Sequence, residues 1–209
     1  MNENGRLGPL EWATAVRPRA GEQVCGDRAI AVAVDGTAAL IGVLDGLGHG
    51  ADAATAALCG VMVLDEARAK PLEVLVQHCH RALSGTRGAA MTLARIDFGA
   101  TDTLRWIGIG NVSADLVAKH PGGVEVRSSA RLIGGIVGYR LPEGITPQEV
   151  PIRPGDLLVI ASDGIAEDHL ADIDFAAPST VIAEQILSRH GKQTDDALVL
   201  AARHRGTTG

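Results

Sequence analysis

Aromatic side chains are scarce in this chain, at 2% of 209 residues, with two Trp, two Phe and one Tyr. A surface that stacks unpaired bases needs a row of such rings, so a single-stranded nucleic-acid platform is excluded. Basic clusters are missing too: 19 Lys and Arg stand against 25 Asp and Glu, for a net charge of −6. Without a basic patch, a nucleic-acid phosphate backbone finds no electrostatic footing. No apolar run approaches the roughly 20 residues that cross a bilayer. The opening segment MNENGRLGPLEW has neither the basic nor the apolar region of a secretion signal. A cytoplasmic protein with no membrane and no nucleic-acid partner is expected.

Cysteine is limited to Cys25, Cys59 and Cys79, an odd number without Cys-x-x-Cys spacing, which reads as reduced, mostly buried thiols. His78-Cys79-His80 falls in a predicted helix, where consecutive residues point about 100° apart and do not converge on one ion. A Gly-x-Ser-x-Gly elbow and a Walker lysine are also absent, which disfavours serine-hydrolase and P-loop chemistry.

Apolar residues make up 46% of the chain, enough for a substantial core built on Ala, Val, Ile and Leu. The length suits one domain spanning residues 1–209. Alternating or continuous apolar runs predict strands at 11–17, 28–34, 38–44, 89–96, 103–109, 113–119, 124–128, 156–161 and 197–202. Asp35-Gly36 signals a tight hairpin turn between the second and third of these. Helices are predicted over 51–69, about 72–84 and 178–190, with Pro71 ending one and opening the next. Two successive helices flanked by strands imply a helical layer on a sheet, and an α+β class.

Against this frame stand aspartates in Gly-rich or strand-end settings: Gly26-Asp27, Asp45-Gly46-Leu47-Gly48-His49-Gly50, Ser162-Asp163-Gly164 and Thr194-Asp195-Asp196. An isolated Asp-Gly is most often only a turn. The joint pattern says more, because adjacent strands would gather these ends at one edge of the sheet. Clustered carboxylates repel unless a cation lies between them, and an all-oxygen donor set suits Mg²⁺ or Mn²⁺. Two such ions would lower the pKa of a bridging water and neutralise charge on a phosphoryl group. Metal-assisted hydrolysis of a phosphate ester is therefore the expected chemistry.

Five segments in order, GD at 26–27, LDGLGHG at 44–50, GNVSADLV at 110–117, ASDGIAED at 161–168 and DDALVL at 195–200, carry a resemblance. The chain resembles the metal-dependent protein phosphatases of the type 2C (PPM) family, in their bacterial SpoIIE-like branch. Its short length is similar to that of stand-alone RsbX-like members. The resemblance implies a four-layer αββα sandwich of two mostly antiparallel sheets flanked by helices, with a two-metal site at one end. It also implies that Asp45 bridges two Mn²⁺ or Mg²⁺ ions, that the Gly46 carbonyl binds one, and that Asp163 and Asp195 are further ligands. Asp27 would act through a metal-bound water or directly on a metal; Asp196 is the disfavoured member of its pair.

Leu47 occupies the place of a histidine that resembles a general acid in eukaryotic members, leaving that role to a metal-bound water or to His49. Asn111 stands where that branch carries an Asp linked to a third metal. No arginine occupies the usual phosphate-gripping position before Asp27, so Arg17, Arg19 and Arg28 are the substitutes available. The implied activity is phosphoserine/phosphothreonine protein dephosphorylation by a metal-activated hydroxide. The implied substrates are phosphorylated STAS-domain proteins (RsbR/RsbS-like) of a stressosome or partner-switching stress response. Two other readings stay open: a catalytically weak, phosphatase-like module that sequesters a regulator, and a small-molecule phosphoesterase.

Overall fold

The computed structural model describes residues 2–99, 102–171 and 173–206. In chain order the elements are β1 (Asn4–Leu7), β2 (Leu10–Arg17), β3 (Asp27–Val34), β4 (Ala38–Gly46), α1 (Gly50–Glu66), α2 (Leu72–Ala82), β5 (Ala89–Asp97), β6 (Thr103–Ile109), β7 (Ser113–His120), β8 (Gly123–Ser129), β9 (Leu132–Ile133), β10 (Gln148–Pro151), β11 (Leu157–Ala161), α3 (Ser179–His190) and β12 (Ala197–His204). One sheet runs β1-β2-β12-β11-β7-β8; the other runs β10-β6-β5-β4-β3, with β9 also beside β6. Every pairing between these strands is antiparallel except the short β6·β9 one.

Side-chain alternation along β4 explains the layering. Ile41 and Val43 face the other sheet, where they join Trp106, Leu158, Ile160, Leu198 and Leu200 in the central core. Leu40 and Leu44 point the opposite way, onto Leu64 of α1 and Leu75, Cys79 and Leu83 on or just past α2. The outer face of the first sheet buries Val159, Val199 and Ala201 beneath Ile182 and Ile186 of α3. Both faces of each central strand are thus covered, which is why β4, β11 and β12 read as nearly continuous apolar runs. Fully burying each such Leu, Ile or Val stabilises the fold by about 1.5–3 kcal/mol. The architecture is the expected four-layer αββα sandwich.

The hairpin β3–β4 turns at Asp35 and Gly36, whose φ values of 49° and 69° suit a primed turn matched to strand twist. Its register sets Asp27 directly opposite Asp45. In the other sheet β11 and β12 are neighbours, so the residues just after Ala161 and just before Ala197 emerge together. The aspartates therefore do not gather at the edge of one sheet, as the strand pattern suggested. They arrive as two groups, one from each sheet, at one end of the sandwich.

Differences from the predicted elements are confined to short pieces and ends. Strands β1, β9 and β10 were not predicted, and helices α1 and α2 stop at Glu66 and Ala82 rather than at 69 and 84. His78, Cys79 and His80 lie on α2 as expected. Cys79 is buried, while His80 Nδ1 accepts a 3.0 Å hydrogen bond from the Gly138 N–H. All the cysteines are free; Cys25 and Cys79 are buried and Cys59 is half-buried.

Candidate functional site

Asp45, Asp163 and Asp195 line one open cleft of roughly 330 Å³, together with Arg19, Leu47, Gly48, His49, Asn111 and Thr194. Asp27 lies behind them, 1% exposed, and also borders a neighbouring cavity with Gln23, Cys25 and Arg28. Close packing behind the acids depends on missing side chains, where β4 meets α1 and where the β11 and β12 ends meet. A Cβ on Gly46 would fall 2.1 Å from the Ala53 carbonyl oxygen at the start of α1, and one on Gly164 only 1.8 Å from the Asp196 carbonyl oxygen. The glycine of each Asp-Gly pair therefore lets backbone pack against backbone behind the acid it follows.

Individual hydrogen bonds fix the acids. The Ser162 hydroxyl donates to Asp27 Oδ2 at 2.7 Å and accepts from the Leu198 N–H at 2.9 Å, clamping β3 of one sheet to the β11–β12 end of the other. Asn111 Nδ2 donates to Asp163 Oδ2 at 2.6 Å, and Lys192 Nζ donates to the Asp163 carbonyl at 2.6 Å. Asp196, 3% exposed, turns away from the cleft: Oδ1 accepts from the Arg19 N–H and Oδ2 from the Gly26 N–H, each at 2.8 Å. It holds both ends of the 19–26 loop. Asp195 Oδ1 accepts from the Asp196 N–H at 2.9 Å.

Burial first, and like charge second, shape the electrostatics of these acids. Burial, then the charges of Asp27, Asp163 and Asp195, push the Asp45 carboxyl far above its ordinary range. Asp27 is raised as well, chiefly by burial and then by Asp196, Asp163 and Asp195, although the Ser162 hydrogen bond opposes the shift. Asp163 is raised by burial and by Asp195, against the opposing pull of Lys192 and Asn111. A cation among these groups would reverse the penalty.

The donor set fits hard divalent ions, since it is made of carboxylates and one carbonyl without a thiolate or imidazole. Among the described residues, however, no three Asp, Glu, His or Cys side chains are drawn together closely enough to form a ready-made ion cage.

His49, predicted as a catalytic residue, lies at the cleft rim, where Nδ1 sits 2.6 Å from Glu22 Oε1. Of the arginines offered as phosphate grips, only Arg19 lines the cleft. Arg28 donates to the carbonyls of Cys25 and Asp27, and Arg17 to that of Lys192. Ser162, Lys192 and Glu22 were not foreseen as site residues. Ser162 had a sequence signal, its place directly before Asp163 at a strand end. Glu22 had none, being 27 residues from its partner.

A family model for stage II sporulation protein E (SpoIIE) matches residues 35–205. Among solved structures, one chain from work on the bacterial stressosome, as a modular system adapted to control secondary messenger signalling, is 30% identical, with a TM-score of 0.82 over 93% of this chain and 99% of that one. RsbX in complex with magnesium is 20% identical, with a TM-score of 0.80 over 97% of this chain and 99% of that one. The catalytic domain of the serine/threonine protein phosphatase PstP, in complex with two manganese ions, is 19% identical, with a TM-score of 0.66 over 93% of this chain and 97% of that one. No curated protein sequence matches significantly.

Proposed function

Because the chain belongs to the stage II sporulation protein E (SpoIIE) family, within the type 2C phosphatases, we propose that it is a Mn²⁺- or Mg²⁺-dependent phosphoserine/phosphothreonine protein phosphatase. One observation carries the reading: two sheets deliver carboxylates to a single cleft, where burial and then neighbouring aspartates raise Asp45, and Asp27 just behind it, above the normal carboxylate range. Asp45, Asp163, Asp195 and the Gly46 carbonyl would hold the ions, with Asp27 completing the set directly or through water. When bound, two such ions supply an acidified water and neutralise charge on the phosphoryl group.

The chain's own residues do the rest. Ser162 fixes the Asp27 carboxylate and Asn111 fixes that of Asp163, so neither must be ordered when substrate arrives. Arg19, on a loop pinned at both ends by Asp196, lines the cleft and would grip the phosphate in place of the arginine missing before Asp27. Leu47, also at the cleft, offers no proton to the leaving group.

For substrates we take phosphorylated STAS-domain regulators of the RsbR/RsbS kind, in a cytoplasmic stress-response pathway. The support is the 30% identity to a chain from stressosome work, together with the shape shared with RsbX. The test is phosphate release from such a phosphoprotein with Mn²⁺ present. Wild type should release it and Asp45→Ala should be slower by at least about 10³-fold, since one substitution would empty a site that both ions share. Equal release by the two proteins would end the two-metal reading.

One observation favours a second reading, a phosphatase-like module that sequesters a regulator. The acidic side chains stand apart from a converged cage among the described residues. Such a module would bind the STAS protein without turnover and show no Mn²⁺ site dependent on Asp45 and Asp163.

A further inference from the structure

Within the phosphatase reading, one question is which group protonates the departing serine or threonine oxygen. Leu47 cannot. Among the described residues, the histidine lining the acidic cleft is His49, whose side chain is 45% exposed and pairs with a Glu22 side chain that is 32% exposed. Its Nδ1 is engaged by Glu22 Oε1 at 2.6 Å, and among the described residues no hydrogen bond occupies Nε2. Glu22 also packs against Gly50, at φ 74°, where a Cβ would lie 3.1 Å from Glu22 Oε2. Glu22 itself rides on the 19–26 loop, whose two ends are hydrogen-bonded to the buried Asp196 carboxylate.

We propose that Glu22 and His49 form a proton-donating pair, in which His49 is the general acid and Glu22 the residue that positions it. Holding Nδ1–H on a carboxylate selects the tautomer and leaves Nε2 as the exchanging nitrogen. As water oxygen bonds to phosphorus and the P–O(ester) bond breaks, the proton on His49 Nε2 passes to the alkoxide oxygen. The attacking water loses its proton to solvent, and the neutral imidazole takes one back before the next turnover. Nothing is oxidised or reduced, and the products are the free hydroxyl and inorganic phosphate.

The role has a signature that a structural part would lack, dependence on the leaving group. Nitrophenolate departs without help, whereas a seryl oxygen needs a proton. The experiment measures kcat of wild type, H49A, E22A and the double variant on p-nitrophenyl phosphate and on a phosphoserine peptide, with Mn²⁺ saturating. A Mn²⁺-dependent rise in melting temperature checks that each variant still folds and holds the ion.

On the phosphoserine peptide, H49A should lose on the order of 10²-fold and E22A about 10-fold. The double variant should fall no further than H49A, because Glu22 acts through His49. Losses on p-nitrophenyl phosphate should be smaller by at least about 10-fold. Equal losses on both substrates, or additive losses in the double variant, would overturn the pair while leaving the phosphatase reading intact. A wild type that hydrolyses neither substrate would overturn both.

Discussion

The Ser162 hydroxyl faces two partners at once, the Asp27 carboxylate and the Leu198 N–H, and it is 2% exposed. Ser162→Ala leaves both without their partner in a dry setting. Chemical denaturation should show a loss of about 1–3 kcal/mol, the usual cost of orphaning buried polar groups. Phosphate release should fall by at least about 10-fold as Asp27 loses its fixed orientation. At this scale the sequence was informative where residue type and local glycine context coincided. Asp45-Gly46 and Ser162-Asp163-Gly164 could be singled out because each joins an apolar run to an acid and a glycine. Glu22 and Lys192 could not, since each meets its partner only through long-range folding. Asn111 was noted for the residue it replaces; its hydrogen bond to Asp163 needed the structure.

Strands β11 and β12 meet the site through Gly164, whose Cα lies against the Asp196 backbone. Gly164→Ala would drive a Cβ to 1.8 Å from a carbonyl oxygen, and a backbone atom cannot swing aside as a side chain can. The ends of β11 and β12 must then separate. A destabilisation of about 3 kcal/mol or more is expected from equilibrium unfolding, at the upper end of overpacking effects. Central elements were legible because burial on both faces writes apolar runs into the sequence, as in Leu157–Ala161 and Ala197–His204. Strands β1, β9 and β10 were not, for a physical reason. Each has two to four residues and no buried run, so partners across the ladder rather than side-chain pattern define it. The same limit hid the two-sheet origin of the site, because alternation reveals which side of a strand is apolar but not which sheet it joins.

Across the whole molecule, the acidic cluster ties stability to pH and to divalent ions. Native Asp27, Asp45 and Asp163 hold protons above the ordinary 3.8 at which the unfolded chain releases them. Their contribution to stability is complete below that value and is lost as pH rises through the native titrations. With divalent ions chelated, Asp45→Asn should therefore unfold at higher denaturant than wild type near pH 8, with the gap closing toward about pH 4. If the two proteins keep the same difference across that range, the carboxylates are not coupled as the structure implies. Added Mn²⁺ should reverse the order, stabilising wild type and leaving Asp45→Asn little changed.

The central claim is that carboxylates from two sheets act as one ion-binding centre, and calorimetric titration with Mn²⁺ tests it most directly. Wild type should bind about two ions per chain, and Asp45→Ala and Asp163→Ala should each abolish that saturable heat, although their aspartates come from different sheets. Wild-type isotherms without a saturable phase, or variants that bind as wild type does, would contradict it.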